Sequence, residues 1–243
     1  MPLLTLFPKN ASAAGAEVDQ LFYLASWLTG IAFVLVLGIL FYFLIRYRER
    51  PGHKPVYTKG ESAGARIFTL SLAFIVFVVI DINLAVHDHW AWDKVFGRPD
   101  DSAAPALHIQ ILAQQFAWNI RYAGPDGKFK TADDITTINQ LHIPVGRPVL
   151  LQLKSKDVMH SFFIPNFRVK QDVLPGMITM LPFQAKETGT FDIACSEHCG
   201  LGHYRMRGVL TAETPAEFEN FLTSTKAAGP GDPNWGWDWM TKR

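Results

Sequence analysis

Two apolar runs restrict this chain more than anything else in it. Leu21 to Ile45, LFYLASWLTGIAFVLVLGILFYFLI, carries no charged residue, and Ile67 to Val86, IFTLSLAFIVFVVIDINLAV, carries only Asp81. A bilayer core about 30 Å thick needs roughly 20 helical residues at about 1.5 Å each, and both runs reach that length. A cleaved secretory segment would have an apolar stretch of about 7 to 15 residues followed by small residues. The first run is longer, and Arg46, Tyr47 and Arg48 follow it. The expected plan is therefore an N-terminal segment over 1–20, spanning helices over 21–45 and 67–90, and a link over 46–66.

The link carries Arg46, Arg48, Arg50, Lys54, Lys59 and Arg66 against Glu49 and Glu61, whereas residues 1–20 offer only Lys9 as a base. Basic loops stay in the cytoplasm, so both termini and all that follows Val86 are expected on the other face. In a bacterium this means the cytoplasmic (inner) membrane, with the C-terminal part on the periplasmic or outer side. Asp81 would cost on the order of 3 kcal/mol at the bilayer centre. At about 1.5 Å per residue it lies about 21 Å from Ile67, nearer the outer side, where it can snorkel or pair with a polar group of a neighbouring subunit.

After the membrane runs the hydrophobic period changes to two, in LHIQIL (107–112), PVLLQLKS (148–155), ITMLPF (178–183) and GTFDIAC (189–195). Short strands separated by Gly and Pro turns, such as Gly124-Pro125-Asp126-Gly127 and Pro144-Val145-Gly146, predict an all-β sandwich or barrel over 104–224. The stretch DGKFKTADD (126–134) lacks the carboxylate spacing and final Glu of a calcium loop and is read as a solvated hairpin connection. Thr214-Pro215-Ala216-Glu217 has the cap, first-turn proline and returning glutamate of a helix start, with Phe218, Phe221 and Leu222 on one apolar face. The tail, 225–243, contains Trp235, Trp237 and Trp239 and fits either an interfacial contact or a loosely ordered terminus. A net charge of +1 leaves no basic stripe for a nucleic-acid partner.

Both cysteines of the chain lie in CSEHCGLGHYRM, 195–206. Two thiols, an imidazole and a thioether form a soft donor set that selects copper or zinc over magnesium or calcium. Structural zinc has no use for Met206, whereas a long axial Met beside Cys and His marks copper. A disulfide between Cys195 and Cys199 competes, since the expected compartment permits one. A second imidazole must come from elsewhere, and His160, just after a predicted strand, is the best candidate.

The run His160, Cys195, Glu197, Cys199, His203, Met206 resembles the binuclear copper (CuA) site of cytochrome c oxidase subunit II, and the two-helix hairpin and strands ahead of it extend that resemblance over most of the chain. It implies an N-terminal two-helix transmembrane hairpin followed by an all-β cupredoxin-like barrel domain. It also implies two copper ions bridged by Cys195 and Cys199, each bound by one of His160 and His203, with Met206 and the Glu197 carbonyl as weak ligands. The Glu197 side chain would hold a magnesium ion shared with the heme-bearing subunit I. Such a subunit accepts electrons from cytochrome c or a cytochrome c-like donor and passes them to subunit I, which with further oxidase subunits reduces oxygen to water and pumps protons.

The chain departs from that family in three places. Where electrons arrive, the family's aromatic stretch corresponds to Ala113, Gln114, Gln115, Phe116, Ala117 and Trp118, so Phe116 stands where a Trp is common and Trp118 remains. Ala65 occupies the position of a glutamate at the mouth of a proton channel, leaving Glu61 as the nearest carboxylate. Met177 follows Pro175-Gly176 where an arginine is common. Quinol oxidase subunits of the same build lack the copper ligands, all of which are present here. A copper-containing subunit of a nitric oxide reductase and a membrane-tethered copper-binding module are the other readings; the second would have no large partner. There is no C-x-x-C-H, so any c-type heme must be on another protein or subunit.

Overall fold

The computed structural model describes residues 7–52, 54, 57, 59–97 and 105–227. The Trp-rich tail and part of the link between the apolar runs lie outside the described residues. The chain forms two compact units, Glu17–Asp93 and a second that combines the segment before it with residues from Lys94 onward.

The first unit is helical. Helix α1 covers Gly15–Arg46, and the second apolar run forms α2 (Ala63–Val76), a π-helical stretch (Phe77–Ile82) and α3 (Asn83–Phe96) in direct succession. Both helical runs are long and apolar enough to cross a membrane, by length and composition. Ser62 caps α2, accepting a hydrogen bond at 3.2 Å from the amide of Ala65, one of the first-turn donors a helix leaves unpaired. Glu61 is exposed just ahead of this cap, and Asp81 falls within the π-helical stretch, where the helical register widens by one residue.

The second unit is a cupredoxin-like all-β domain, with ten strands among the described residues. They are β1 (Leu107–Gln114), β2 (Ala117–Tyr122), β3 (Ile135–Ile138), β4 (Gln140–Pro144), β5 (Pro148–Ser155), β6 (His160–Ile164), β7 (Val169–Val173), β8 (Thr179–Gln184), β9 (Gly189–Cys195) and β10 (Arg207–Glu213). One sheet has the order β3-β2-β1-β5-β8 and the other β4-β10-β9-β6-β7. The pairs β1/β5 and β4/β10 are parallel and the rest antiparallel, so the chain crosses between sheets rather than running up and down. Side chains from both sheets, among them Ile109, Ile111, Leu151, Phe162, Leu181, Ile193 and Leu210, close one core. Helix α4 (Pro215–Ala227) begins as predicted. The Thr214 hydroxyl accepts from the Glu217 amide at 3.3 Å, the Glu217 carboxylate accepts from the Thr214 amide at 2.9 Å, and Phe218 is buried.

Two features differ from expectation. The 126–134 connection is not wholly solvated: Asp134 is fully buried, 3.3 Å from the equally buried guanidinium of Arg121 in β2, and accepts the amide of Lys130. A charge can leave water when an opposite charge and hydrogen bonds replace its hydration. The segment ahead of α1 is also part of the sheet domain. Ala11 donates to Asn166 O and accepts from Lys186 N, Ala13 donates to Gln184 O, and the Lys9 ammonium lies 2.7 Å from Glu187.

Candidate metal centre

Three strand ends converge at one edge of the β4-β10-β9-β6-β7 sheet. His160 is the first residue of β6 and Cys195 the last of β9, and antiparallel pairing of Phe162 with Cys195 sets them side by side. Strand β10 returns against β9 with Arg207 opposite Ala194, and Cys195 N donates to Met206 O at 3.2 Å, which closes the mouth of the connecting loop. That loop holds Glu197, Cys199 and, in a 3-10 turn, His203. Ser196 N donates to Ser161 O at 2.9 Å, tying the loop to β6.

The six sequence-predicted ligands are brought together. Cys195 Sγ and Cys199 Sγ are 3.8 Å apart. His160 Nδ1 lies 4.0 Å from Cys195 Sγ, and His203 Nδ1 lies 3.7 Å from Cys199 Sγ. Met206 Sδ is 3.7 Å from Cys199 Sγ, and the Glu197 carbonyl is 3.2 Å from Cys195 Sγ. A disulfide needs sulfurs about 2.05 Å apart, so these are free thiols. At 3.8 Å both sulfurs can bond one ion through metal–sulfur bonds of about 2.3 Å, because the gap is less than twice that length. The donor set thus splits into halves, one imidazole beside each sulfur, with a carbonyl on one side and a thioether on the other.

The inner part of the site is shielded from water: His160 is fully buried and Cys195, Cys199 and Met206 nearly so, while Glu197 and His203 are half-buried. Burial alone would raise the Cys195 thiol, but hydrogen bonds from His160 and the Ser161 backbone outweigh it and lower the pKa. Cys199 is raised, first by burial and then by the adjacent Cys195 thiolate. The pair therefore releases one proton readily and holds the second, as expected of two acids this close. Burial pulls the His160 pKa down, yet Cys195 and Asp157 on either side of the ring raise it above the ordinary value.

Behind His160 stands a carboxylate that no sequence pattern announces. Asp157 Oδ1 accepts from His160 Nε2 at 2.9 Å, and the same carboxylate accepts the amides of Gln115 and Val158, both at 2.7 Å. Burial would raise this carboxyl, but those donors together hold it below its ordinary value. The only signal was a carboxylate three residues before a histidine.

Of the three residues expected where electrons arrive, Trp118 is fully buried in β2, its ring edge-on to His160 at 6.1 Å and to Phe162 at 5.1 Å. Phe116 and Gln115 are at the surface. Gln115 Nε2 donates to Cys199 O at 2.5 Å, and the Phe116 ring lies over Gly200 and Gly202. The exposed aromatic is thus Phe116, with Trp118 behind it.

Residues 108–213 match the family model described as cytochrome c oxidase subunit II, periplasmic domain. The alternative cytochrome c oxidase subunit 2 of Bradyrhizobium diazoefficiens is 29% identical over 86% of this chain and 80% of its own length. The cytochrome bo(3) ubiquinol oxidase subunit 2 of Buchnera aphidicola is 30% identical over 79% of this chain and 64% of its own. A crystal structure of the periplasmic domain of subunit II of cytochrome oxidase (CoxB) of Bradyrhizobium japonicum covers 54% of this chain and 98% of that domain, at 27% identity and a TM-score of 0.46. Residues 108–213 thus carry a cytochrome c oxidase subunit II periplasmic domain, and with two apolar helices ahead of it the chain is similar over most of its length to oxidase subunit II proteins.

Proposed function

We propose that this chain is the electron-accepting subunit of a respiratory cytochrome c oxidase in a bacterial cytoplasmic membrane, with its sheet domain on the periplasmic side. The observation that carries the reading is the paired donor set, two free thiols 3.8 Å apart with an imidazole nitrogen beside each. Cys195 and Cys199 would bridge two copper ions, His160 and His203 would each bind one, and Met206 and the Glu197 carbonyl would complete the two ends. Bound copper would supply a carrier that takes up and releases one electron at a time.

The chain's own residues perform the rest. Strand ends of β6, β9 and β10 hold the ligands still, so little movement accompanies a change of charge. Asp157 fixes the His160 ring with a proton on Nε2, leaving Nδ1 free to donate to metal. Burial excludes water from the thiolates. Phe116 and Gln115 cover the Cys199 end and offer a short route from the surface through the Gln115–Cys199 hydrogen bond. Electrons would come from cytochrome c or a cytochrome c-like donor and leave for the heme-bearing subunit I, where oxygen is reduced and protons are pumped. The Glu197 carboxylate would share a magnesium ion with that subunit, and Glu61 would stand at the mouth of a proton channel.

The test is copper content and the electron paramagnetic resonance spectrum of the full chain in detergent. Two coppers per chain sharing one unpaired electron are expected, and Cys195→Ser should abolish that signal. One localised copper, or an unaltered stoichiometry in Cys195→Ser, would overturn the assignment.

A further inference from the structure

The ligand loop carries a histidine that the paired donor set does not use. His198 stands between Glu197, whose carbonyl faces Cys195, and Cys199, and it is exposed. Its ring is edge-on to that of His203, with the ring centres 5.6 Å apart and the planes at 66°. An exposed histidine on a loop needs no explanation by itself. This one is set against a second imidazole that faces the thiol pair, and the loop holds that neighbour in place: His203 N donates to Gly200 O at 3.0 Å, and Met206 N donates to His203 O at 3.1 Å.

Most of the donor set is closed to an ion arriving from water. His160, Cys195, Cys199 and Met206 are buried. Asp157 stands behind the His160 ring, while the Gln115 side chain and the Phe116 ring lie over Cys199, Gly200 and Gly202. Among the six donors only Glu197 and His203 are half-buried. A carbonyl oxygen is a weak first ligand for copper, which favours nitrogen and sulfur. His203 is therefore the donor that an incoming ion meets first, and His198 is the nitrogen donor beside it. Metal–imidazole bonds of about 2.0 Å let two rings that share one ion have centres roughly 4.5 to 6 Å apart. The observed separation falls in that range.

We infer that His198 and His203 form a copper-capture site at the surface of the chain, from which the ion passes inward to the two cysteines. The inference rests on the copper-relay reading and adds how copper reaches that centre. In the transfer the bond from copper to the His198 nitrogen breaks and a bond to a cysteine sulfur forms. The sulfur gives up its proton to water, and copper keeps its oxidation state. His203 Nδ1 lies 3.7 Å from Cys199 Sγ, so an ion held by His203 already has the first sulfur beside it. His198 is released as the centre fills and is not a ligand of the finished copper pair.

The test mixes the full copper-free chain, in detergent and with its thiols reduced, with the Cu(I) complex of a chromophoric chelator, whose loss of colour times the uptake. His198→Ala should slow uptake by about tenfold, because a second tethered ligand is lost. The copper content at the end should equal the parent's, and a one-electron oxidant should then give the parent's paramagnetic resonance spectrum. His198→Met keeps a soft donor and should recover most of the rate, a rescue that a merely structural histidine would not give. A second measurement needs no thiols. The double variant Cys195→Ser, Cys199→Ser is titrated with Cu(II), and adding His198→Ala should weaken its Kd by about tenfold or more, with fewer nitrogen couplings in the spectrum. Unchanged uptake in His198→Ala overturns the inference, as does equal Cu(II) affinity with and without His198. An altered final copper content or spectrum also overturns it, since His198 would then belong to the finished centre. A parent chain that ends with one localised copper sinks the relay reading instead, and the thiol-free pair of variants still decides the capture site.

Discussion

Asp157 Oδ1 lies 2.9 Å from His160 Nε2, on the edge of the ring opposite Nδ1, which faces Cys195 Sγ. The carboxylate is fixed by two amides and so fixes both the tilt of the ring and its tautomer. Asp157→Ala is expected to lower copper affinity by about 10- to 100-fold while leaving the cysteines in place. Competition against a chromophoric chelator measures this; an unchanged affinity would show that packing against Trp118 alone orients the ring.

The Arg121–Asp134 pair holds two charges that are both out of water. Removing Asp134 takes away one of the groups that compensate the buried guanidinium, so Asp134→Ala should destabilise the sheet domain by up to about 3 kcal/mol. Denaturant unfolding followed by tryptophan fluorescence reports it, since Trp118 lies three residues from Arg121 on β2. A loss under about 1 kcal/mol would mean that other groups already compensate Arg121.

Gly202 is held to its size by Phe116. A Cβ built there would stand 2.4 Å from Phe116 Cδ2, closer than carbon atoms approach. Gly202→Ala should push the Phe116 ring outward and cost about 1 to 3 kcal/mol. Loss of stability that is restored by Phe116→Ala in the same chain would confirm the contact; equal loss in both would refute it.

The start of α4 should respond to acid. Hydrogen bonds from the Thr214 hydroxyl and then the Thr214 amide hold the Glu217 carboxyl below its ordinary value of 4.5. A folded-state value that is lowered means the contribution is complete above 4.5 and is lost as the pH falls through the lower, folded value. Thr214→Ala should lower the Tm at neutral pH by roughly 2–4 °C, and the gap to the parent should narrow near pH 3. A gap of constant size across that range would show that the carboxylate takes no part.

The ligand loop was legible because five of its donors stand within twelve residues at a fixed spacing, and the strands over 107–112, 148–155, 178–183 and 189–195 were legible because their burial alternates or runs unbroken. Strand β2 was harder to read. In AWNIRY five consecutive residues are buried, Arg121 among them, and no local pattern announces a buried arginine. Its partner Asp134 sits thirteen residues on, in a stretch that reads as solvated because its neighbours are charged. Only the pairing of β2 with β3, Arg121 opposite Thr136, brings the two together. Asp157 escaped for a similar reason, since a carboxylate in a loop looks like surface until a strand pairing turns the histidine toward it. Trp118 and Phe116 are two residues apart across a strand start, and only the folded register decides which ring faces outward.

The pairing of the leading segment with the sheet domain also bears on how the chain is threaded. Ala11 and Ala13 exchange backbone hydrogen bonds with residues 166, 184 and 186, so the polypeptide leaves the sheet domain before α1 and rejoins it after α3. An excursion that begins and ends on one body must traverse any barrier an even number of times. One crossing by either apolar run alone would tear Ala11 from Lys186. The parity of insertion is thus written into a few main-chain hydrogen bonds, independently of where the arginines of the link fall.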